Sequence, residues 1–132
     1  MAESTRGHWD RFWIEHEAID DVYSNERRLL DQIERMEPAG RLIMEVGAGS
    51  GRDSLELARQ GGRVIVLDYS RPSLQTVRVL SERLDQPVHL VCADATRLPF
   101  RDGTIDIVFH QGLLEHFRQP MDLMSENARV VS

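Results

Sequence analysis

The stretch that constrains this chain most is Leu42-Ile43-Met44-Glu45-Val46-Gly47-Ala48-Gly49-Ser50-Gly51, an apolar run that opens into three alternate glycines. A strand that turns sharply into a helix needs backbone angles that a Cβ resists, and glycine supplies them. Glycine there also lets a ligand press against the backbone. Three further apolar runs follow at 64–67, 88–92 and 105–109, with one polar interruption, at Asp106 in the last. Short continuous runs rich in β-branched residues suit strands buried on both faces, as in a parallel sheet.

Helical patterns lie between these runs. One is expected over 52–60, carrying Leu55, Leu57 and Ala58 and stopped by Gly61-Gly62. Another is expected over 70–84, with Ser70 as cap, Pro72 in the first turn, and Leu74, Val77, Leu80 and Leu84 on one face. Residues 97–103 read as a loop with a turn at Asp102-Gly103. A last helix starts near Pro120 and uses Leu123, Met124, Asn127, Val130 and Val131. Ahead of the glycine stretch, Leu29, Leu30, Ile33 and Met36 share a helical face over about 25–37, capped by Ser24 or Asn25 and ended by Pro38-Ala39-Gly40. Strand, helix, strand, helix, strand in this order gives a doubly wound α/β sheet with right-handed crossovers. The chain divides into an N-terminal helical cap or lid over 1–40, with Trp9, Phe12, Trp13 and His16 at helical spacing, and a ligand-binding half domain over 41–132.

Composition narrows the setting. The net charge is −6, and the arginines are scattered among acids. That argues against a nucleic-acid surface, which needs clustered cations. A single cysteine excludes an internal disulfide, and no CxxC pair suggests a metal. Cys92 sits in an apolar run and is expected as a buried, inert thiol. Residues 1–10 are polar, and no apolar stretch approaches the roughly 20 residues of a membrane span, so a cytoplasmic location is expected.

In a doubly wound sheet, ligands bind beyond the carboxyl ends of the strands. Three acids stand at such ends. Glu45 precedes the first glycine by two positions, and Asp68 ends the second run 21 positions after Gly47. An acid at that second place accepts hydrogen bonds from ribose hydroxyls. Asp94 ends the third run, where its carboxylate faces an adenine amino group and the Ala95 N–H faces a ring nitrogen. A dinucleotide would bring a pyrophosphate to the glycine turn, where Glu45 repels it, and the spacing is GxGxG, not GxGxxG. S-adenosylmethionine carries a sulfonium and an ammonium against one carboxylate and no phosphate. An acidic rim suits it, and NAD is disfavoured.

At these residues the chain resembles the class I, Rossmann-like S-adenosylmethionine-dependent methyltransferases, in the UbiE-like, type 11 branch. Glu45-Val46-Gly47-Ala48-Gly49-Ser50-Gly51 is similar to the family's first motif, (D/E)xGxGxG. Asp68 matches its ribose acid and Asp94-Ala95 its adenine pair. The stretch from Ile105-Asp106-Ile107-Val108-Phe109 to Gln111-Gly112-Leu113-Leu114-Glu115-His116 resembles its fourth-strand phrase, and 121–131 the helix before the fifth strand. The resemblance implies strands one to four of a seven-stranded sheet. It implies that Gly47 and Gly49 line the methionine moiety, with Ala48 and Gly51 in the same loop and Glu45 near the ammonium. Tyr69 lies beside the adenosine and Gln111 beside the sulfonium. Tyr23 and the N-terminal aromatics form a lid, with plain coverage of one sheet side as the alternative.

The family's sheet continues beyond the helix at 121–131, and this chain does not, so a fragment of a longer gene is expected. Strand four would then present an open edge, suited to a homodimer or a partner chain. The expected reaction is methyl transfer to a small-molecule acceptor, leaving S-adenosylhomocysteine. His116 and His110 are the candidates if a base is needed, and Glu115 reads as structural. His8, Glu15, His16 and Glu17 read as a solvated helix face and not a metal site. No Asn-Pro-Pro-Tyr phrase points to amino-group methylation of nucleic-acid bases or glutamine. The alternative is a non-catalytic cofactor-binding or interaction module completed by a partner.

Overall fold

The computed structural model describes residues 27–110 and 120–132. The expectations for Trp9, Phe12, Trp13, His16, Tyr23, Ser24, Asn25, Gln111, Glu115 and His116 lie outside those residues. The elements run α1 (Arg27–Arg35), β1 (Leu42–Val46), α2 (Arg52–Arg59), β2 (Arg63–Asp68), α3 (Arg71–Leu84), β3 (His89–Cys92), β4 (Ile107–Phe109) and α4 (Pro120–Val130). The four strands make one sheet in the order β3-β2-β1-β4, all neighbours parallel. This is the doubly wound sheet that the alternating pattern predicts.

Side chains alternate across a strand, and the alternation sorts the core into two layers. Ile43, Val64, Val66, Ile107 and Phe109 pack with Leu30, Ile33, Leu57, Leu74 and Val77, from α1, α2 and α3. Met44, Val46, Ile65 and Leu67 pack on the other face with Leu98, Ile105, Leu123 and Val130. By the same parity Glu45 and Asp68 belong to the face of α2 and α3. The apolar residues of the central strands are buried, save the half-buried Leu42 that opens β1.

Several expectations need correction. β3 is an edge strand, half-buried to exposed along its length, and Cys92 is exposed. A continuous apolar run does not say whether a strand is central or at an edge. In α3 the buried face passes through Ser73, Leu74, Val77 and Ser81, while Leu84 is exposed, because the helix ends there at a left-handed Asp85. Val131 leaves the final helix. It pairs in parallel with Ile105, whose N–H donates to Val130 O, and Ser132 N donates back to Ile105 O. This bridge lies just ahead of β4, outside the strand itself. Met124 is exposed, leaving Leu123 and Val130 as the buried positions of α4.

One arginine makes several of the bonds that hold the loop between β3 and β4. Arg129 on α4 donates to Leu98 O at 3.0 Å, Phe100 O at 2.8 Å and Asp102 Oδ1 at 2.8 Å. It also pairs with Glu126, whose Oε2 accepts from Leu98 N at 2.7 Å. These bonds hold Glu126 below the ordinary carboxylate range and raise Arg129. An exposed pair alone is worth little, but here two loop carbonyls lose a donor if the side chain goes. Arg129→Ala is expected to lower stability. A urea unfolding midpoint equal to wild type would show that the loop holds itself.

Among the described residues no helix is long and apolar enough to cross a membrane, and no group of His, Cys, Asp and Glu is placed to hold a metal.

Candidate functional site

The glycine turn leaves the carboxyl end of β1 with Gly47, Gly49 and Gly51 all in left-handed conformation, at φ of 84°, 55° and 77°. Gly47 N still donates to Leu67 O at 2.8 Å, so the β1–β2 ladder runs into the turn. Gly51 N closes it on Ala48 O at 2.9 Å, and Gly51 is the N-cap residue of α2. Ala48 is buried between the glycines.

Glu45, the last-but-one residue of β1, is only 6% exposed. Its Oε1 accepts a 2.6 Å bond from Ser54 Oγ on α2, and Ser54 is fully buried. Burial pushes the Glu45 carboxyl well above its ordinary range; the Ser54 bond opposes this, while Asp53 and Asp68 push it further up. The charged neighbours that act on it, Asp53 and Asp68, are both acidic. A buried carboxylate in such a place is costly until a cation joins it. The site's chemistry thus fits a ligand that brings an ammonium or sulfonium and repels one that brings a pyrophosphate.

Asp68 ends β2 and is also 6% exposed. Its Oδ2 accepts from Ala48 N at 2.7 Å and from Ser73 Oγ at 3.3 Å, and its Oδ1 accepts from Ser70 N at 2.7 Å. Burial raises its pKa nonetheless, outweighing the bonds from Ser70, Ala48, Ser73 and Tyr69 that pull it down. Its main-chain carbonyl accepts from Ala93 N, carrying the β2–β3 pairing past Cys92.

Asp94 follows β3 and is exposed. Its Oδ1 takes the Thr96 amide at 2.9 Å and the Thr96 hydroxyl at 2.7 Å, a side-chain turn that fixes the loop. Ala95 beside it is buried, and Tyr69 at the end of β2 is exposed. His110 follows Phe109, which lies in register with Glu45, and burial lowers its pKa. A lowered histidine is a neutral imidazole at neutral pH.

The structure therefore brings Glu45, Gly47, Ala48, Gly49, Gly51 and Asp68 together at the ends of β1 and β2, with Tyr69, Asp94 and Ala95 along the same edge. Gln111 lies outside the described residues. Sequence reasoning missed Ser54 and Ser73, the hydroxyls that hold the two buried acids. Their one sequence signal is position: each lies in the first turn of the helix that follows its acid's strand.

Comparison with known proteins sets this geometry in a family. A methyltransferase-domain family profile matches residues 44–132. Methyltransferase GfsG of Streptomyces halstedii is 31% identical over 125 residues, covering 91% of this chain and 45% of that protein. The structure of magnesium protoporphyrin IX methyltransferase from Synechocystis PCC 6803 with bound S-adenosylmethionine superposes with a TM-score of 0.80 at 15% identity, covering 99% of this chain and 74% of that one. The [4+2]-cyclase SpnF superposes at 0.82 with 17% identity, over 100% of this chain and 58% of that one. At such identities the two structures show the fold alone. The chain spans less than half the length of the curated relative. The profile match settles the family: this chain belongs to the Rossmann-like S-adenosylmethionine-dependent methyltransferases.

Proposed function

We propose that this chain binds S-adenosylmethionine across the carboxyl ends of β1, β2 and β3 and transfers its methyl group to a small-molecule acceptor. The observation that carries the reading is the buried Glu45 carboxylate, with acidic neighbours, beside a turn built of left-handed glycines. In this reading Glu45, Gly47, Ala48, Gly49 and Gly51 receive the methionine end. Asp94 and Ala95 receive the adenine, Asp68 and Tyr69 lie between, and Gln111 follows β4 near the sulfonium.

When bound, the cofactor supplies an electrophilic methyl with a good leaving group. The chain's own residues orient it: a fixed turn and a buried anion hold one end, and the Asp94 turn holds the other, so that positioning supplies much of the rate. His110, kept neutral by burial, is the described residue suited to take a proton from an acceptor that must lose one. The small-molecule class is supported by the net charge of −6 and by arginines already engaged with acids, as in Arg59–Glu56, Arg78–Glu82 and Arg129–Asp102.

Calorimetric titration with S-adenosylmethionine, with NAD as control, is the test. Saturable binding of the first alone is expected. Binding of NAD, or of neither, would overturn the reading.

A further inference from the structure

The loop that leaves β3 uses its donors unevenly. Ala93 N continues the ladder to Asp68 O at 3.0 Å, and Arg97 N closes on Asp94 O at 3.0 Å. Thr96 N turns instead to the Asp94 side chain, 2.9 Å from Oδ1. The Thr96 hydroxyl donates to the same oxygen at 2.7 Å, a charge-assisted length. Two donors of one residue thus converge on one oxygen of an exposed carboxylate. Both oxygens of a carboxylate can accept. Among the described residues nothing donates to Asp94 Oδ2, and the Ala95 N–H has no acceptor. An acceptor and a donor are therefore left on adjacent residues. Adenine carries the complementary pair on one edge, an amino donor beside a ring-nitrogen acceptor. Hypoxanthine carries the reverse, a carbonyl acceptor beside a ring N–H.

We propose that Thr96 is a positioning residue that sets the specificity for adenine: its hydroxyl, together with its amide, pins one oxygen of Asp94 and holds the other ready for the cofactor's amino group. This rests on the reading that the site takes S-adenosylmethionine, with its adenine at Asp94 and Ala95. An exposed aspartate left to itself exchanges between rotamers, and a ligand that needs one of them must order it. A carboxylate ordered beforehand forms its bond without that cost. With the amide alone, either oxygen can answer the donor, and the second is no longer fixed. The loop has closures besides the hydroxyl, since Arg97 N meets Asp94 O and Leu98 N meets Glu126 Oε2. Removing the hydroxyl should therefore act on base recognition before it acts on the loop. A site that holds such a pair in place rejects a base with the reversed pattern, because its own polar groups would then go unmatched.

The experiment titrates S-adenosylhomocysteine and S-inosylhomocysteine, which differ in that edge of the base, into the wild-type chain, Thr96→Val and Thr96→Ser. Wild type is expected to favour the adenine ligand by about tenfold or more. Thr96→Val should lose most of that preference, by binding the adenine ligand about tenfold more weakly and the hypoxanthine ligand within about twofold of wild type. Thr96→Ser, which keeps the hydroxyl, should restore the preference. Equal losses for both ligands in Thr96→Val would make the hydroxyl a plain loop contact and overturn the proposal, as would an unchanged preference. If Thr96→Val does not fold, the couplings between the Asp94 α and β protons in the unliganded wild-type chain decide. Values of a single rotamer support the pinned carboxylate, and rotamer-averaged values overturn it. Wild type that binds neither ligand would sink the cofactor reading and the proposal with it. Wild type that favours adenine while Thr96→Val does too sinks the proposal alone.

Discussion

Gly51→Val is expected to remove cofactor binding and most of the stability of the chain together. A Cβ at this position would lie 2.8 Å and 3.0 Å from the two γ carbons of Val77. Val77 is fully buried, on the face of α3 that packs on the sheet. A β-branched side chain has little rotamer freedom with which to yield. The backbone adds its own penalty, since Gly51 sits at φ of 77°, where a side chain costs about 1–2 kcal/mol. Overpacking adds about 1–3 kcal/mol. The sum is a large part of the roughly 5–15 kcal/mol that holds a domain together. Gly51→Ala pays the backbone penalty with a smaller clash and is expected to fall between. Thermal melts followed by circular dichroism, with a titration on whatever remains folded, check both. A valine variant that melts and binds like wild type would show that the turn and α3 are not in contact.

Glu45→Gln is expected to move stability and affinity in opposite directions. Burial holds this carboxyl well above its ordinary range. An acid whose folded value exceeds its unfolded value favours the fold fully below the unfolded value. That contribution is lost as pH rises through the folded value, because the ionised group is then carried in a buried site. Glutamine keeps an oxygen for Ser54 and carries no charge. The unliganded variant should therefore unfold later than wild type at neutral and higher pH, by about 1–3 kcal/mol. Its stability should also lack the wild-type decline above the ordinary carboxylate range. Affinity for S-adenosylmethionine should fall about ten- to a hundredfold, the equivalent of one hydrogen bond between charged groups. Melts at acid and neutral pH test the first part, and calorimetry the second. Parallel pH trends for the two proteins would mean that Glu45 titrates normally.

Much of this arrangement was legible in the residues because period and spacing carry it. Runs of four to six apolar residues around a glycine turn fix the sheet, and the alternation of side chains puts Glu45 and Asp68 on the side of α2 and α3. What was not legible depends on contacts between distant positions. Ser54 and Ser73 read as ordinary helix residues until packing turns them toward the two acids. Cys92 reads as core because an edge strand and a central strand share one apolar pattern, and only the neighbour on the far side separates them. Val131 continues the helical spacing of Leu123 and Val130, yet pairing with Ile105 draws it out of the helix. Asp68 was legible as the acid that ends β2, but its partners inside the protein were not.

The exposure of Cys92 has a practical side. It is the chain's one cysteine, in register with Asp68 at the end of β3 and two positions before Asp94. A maleimide dye attached to that thiol would be uniquely placed, with no background labelling elsewhere in the chain. If the cofactor binds as proposed, with its adenine at Asp94 and Ala95, the dye would sit beside that end, where its fluorescence would report arrival and departure of a nucleoside in real time. The surface sulfur turns an edge strand into a built-in attachment point for kinetic work.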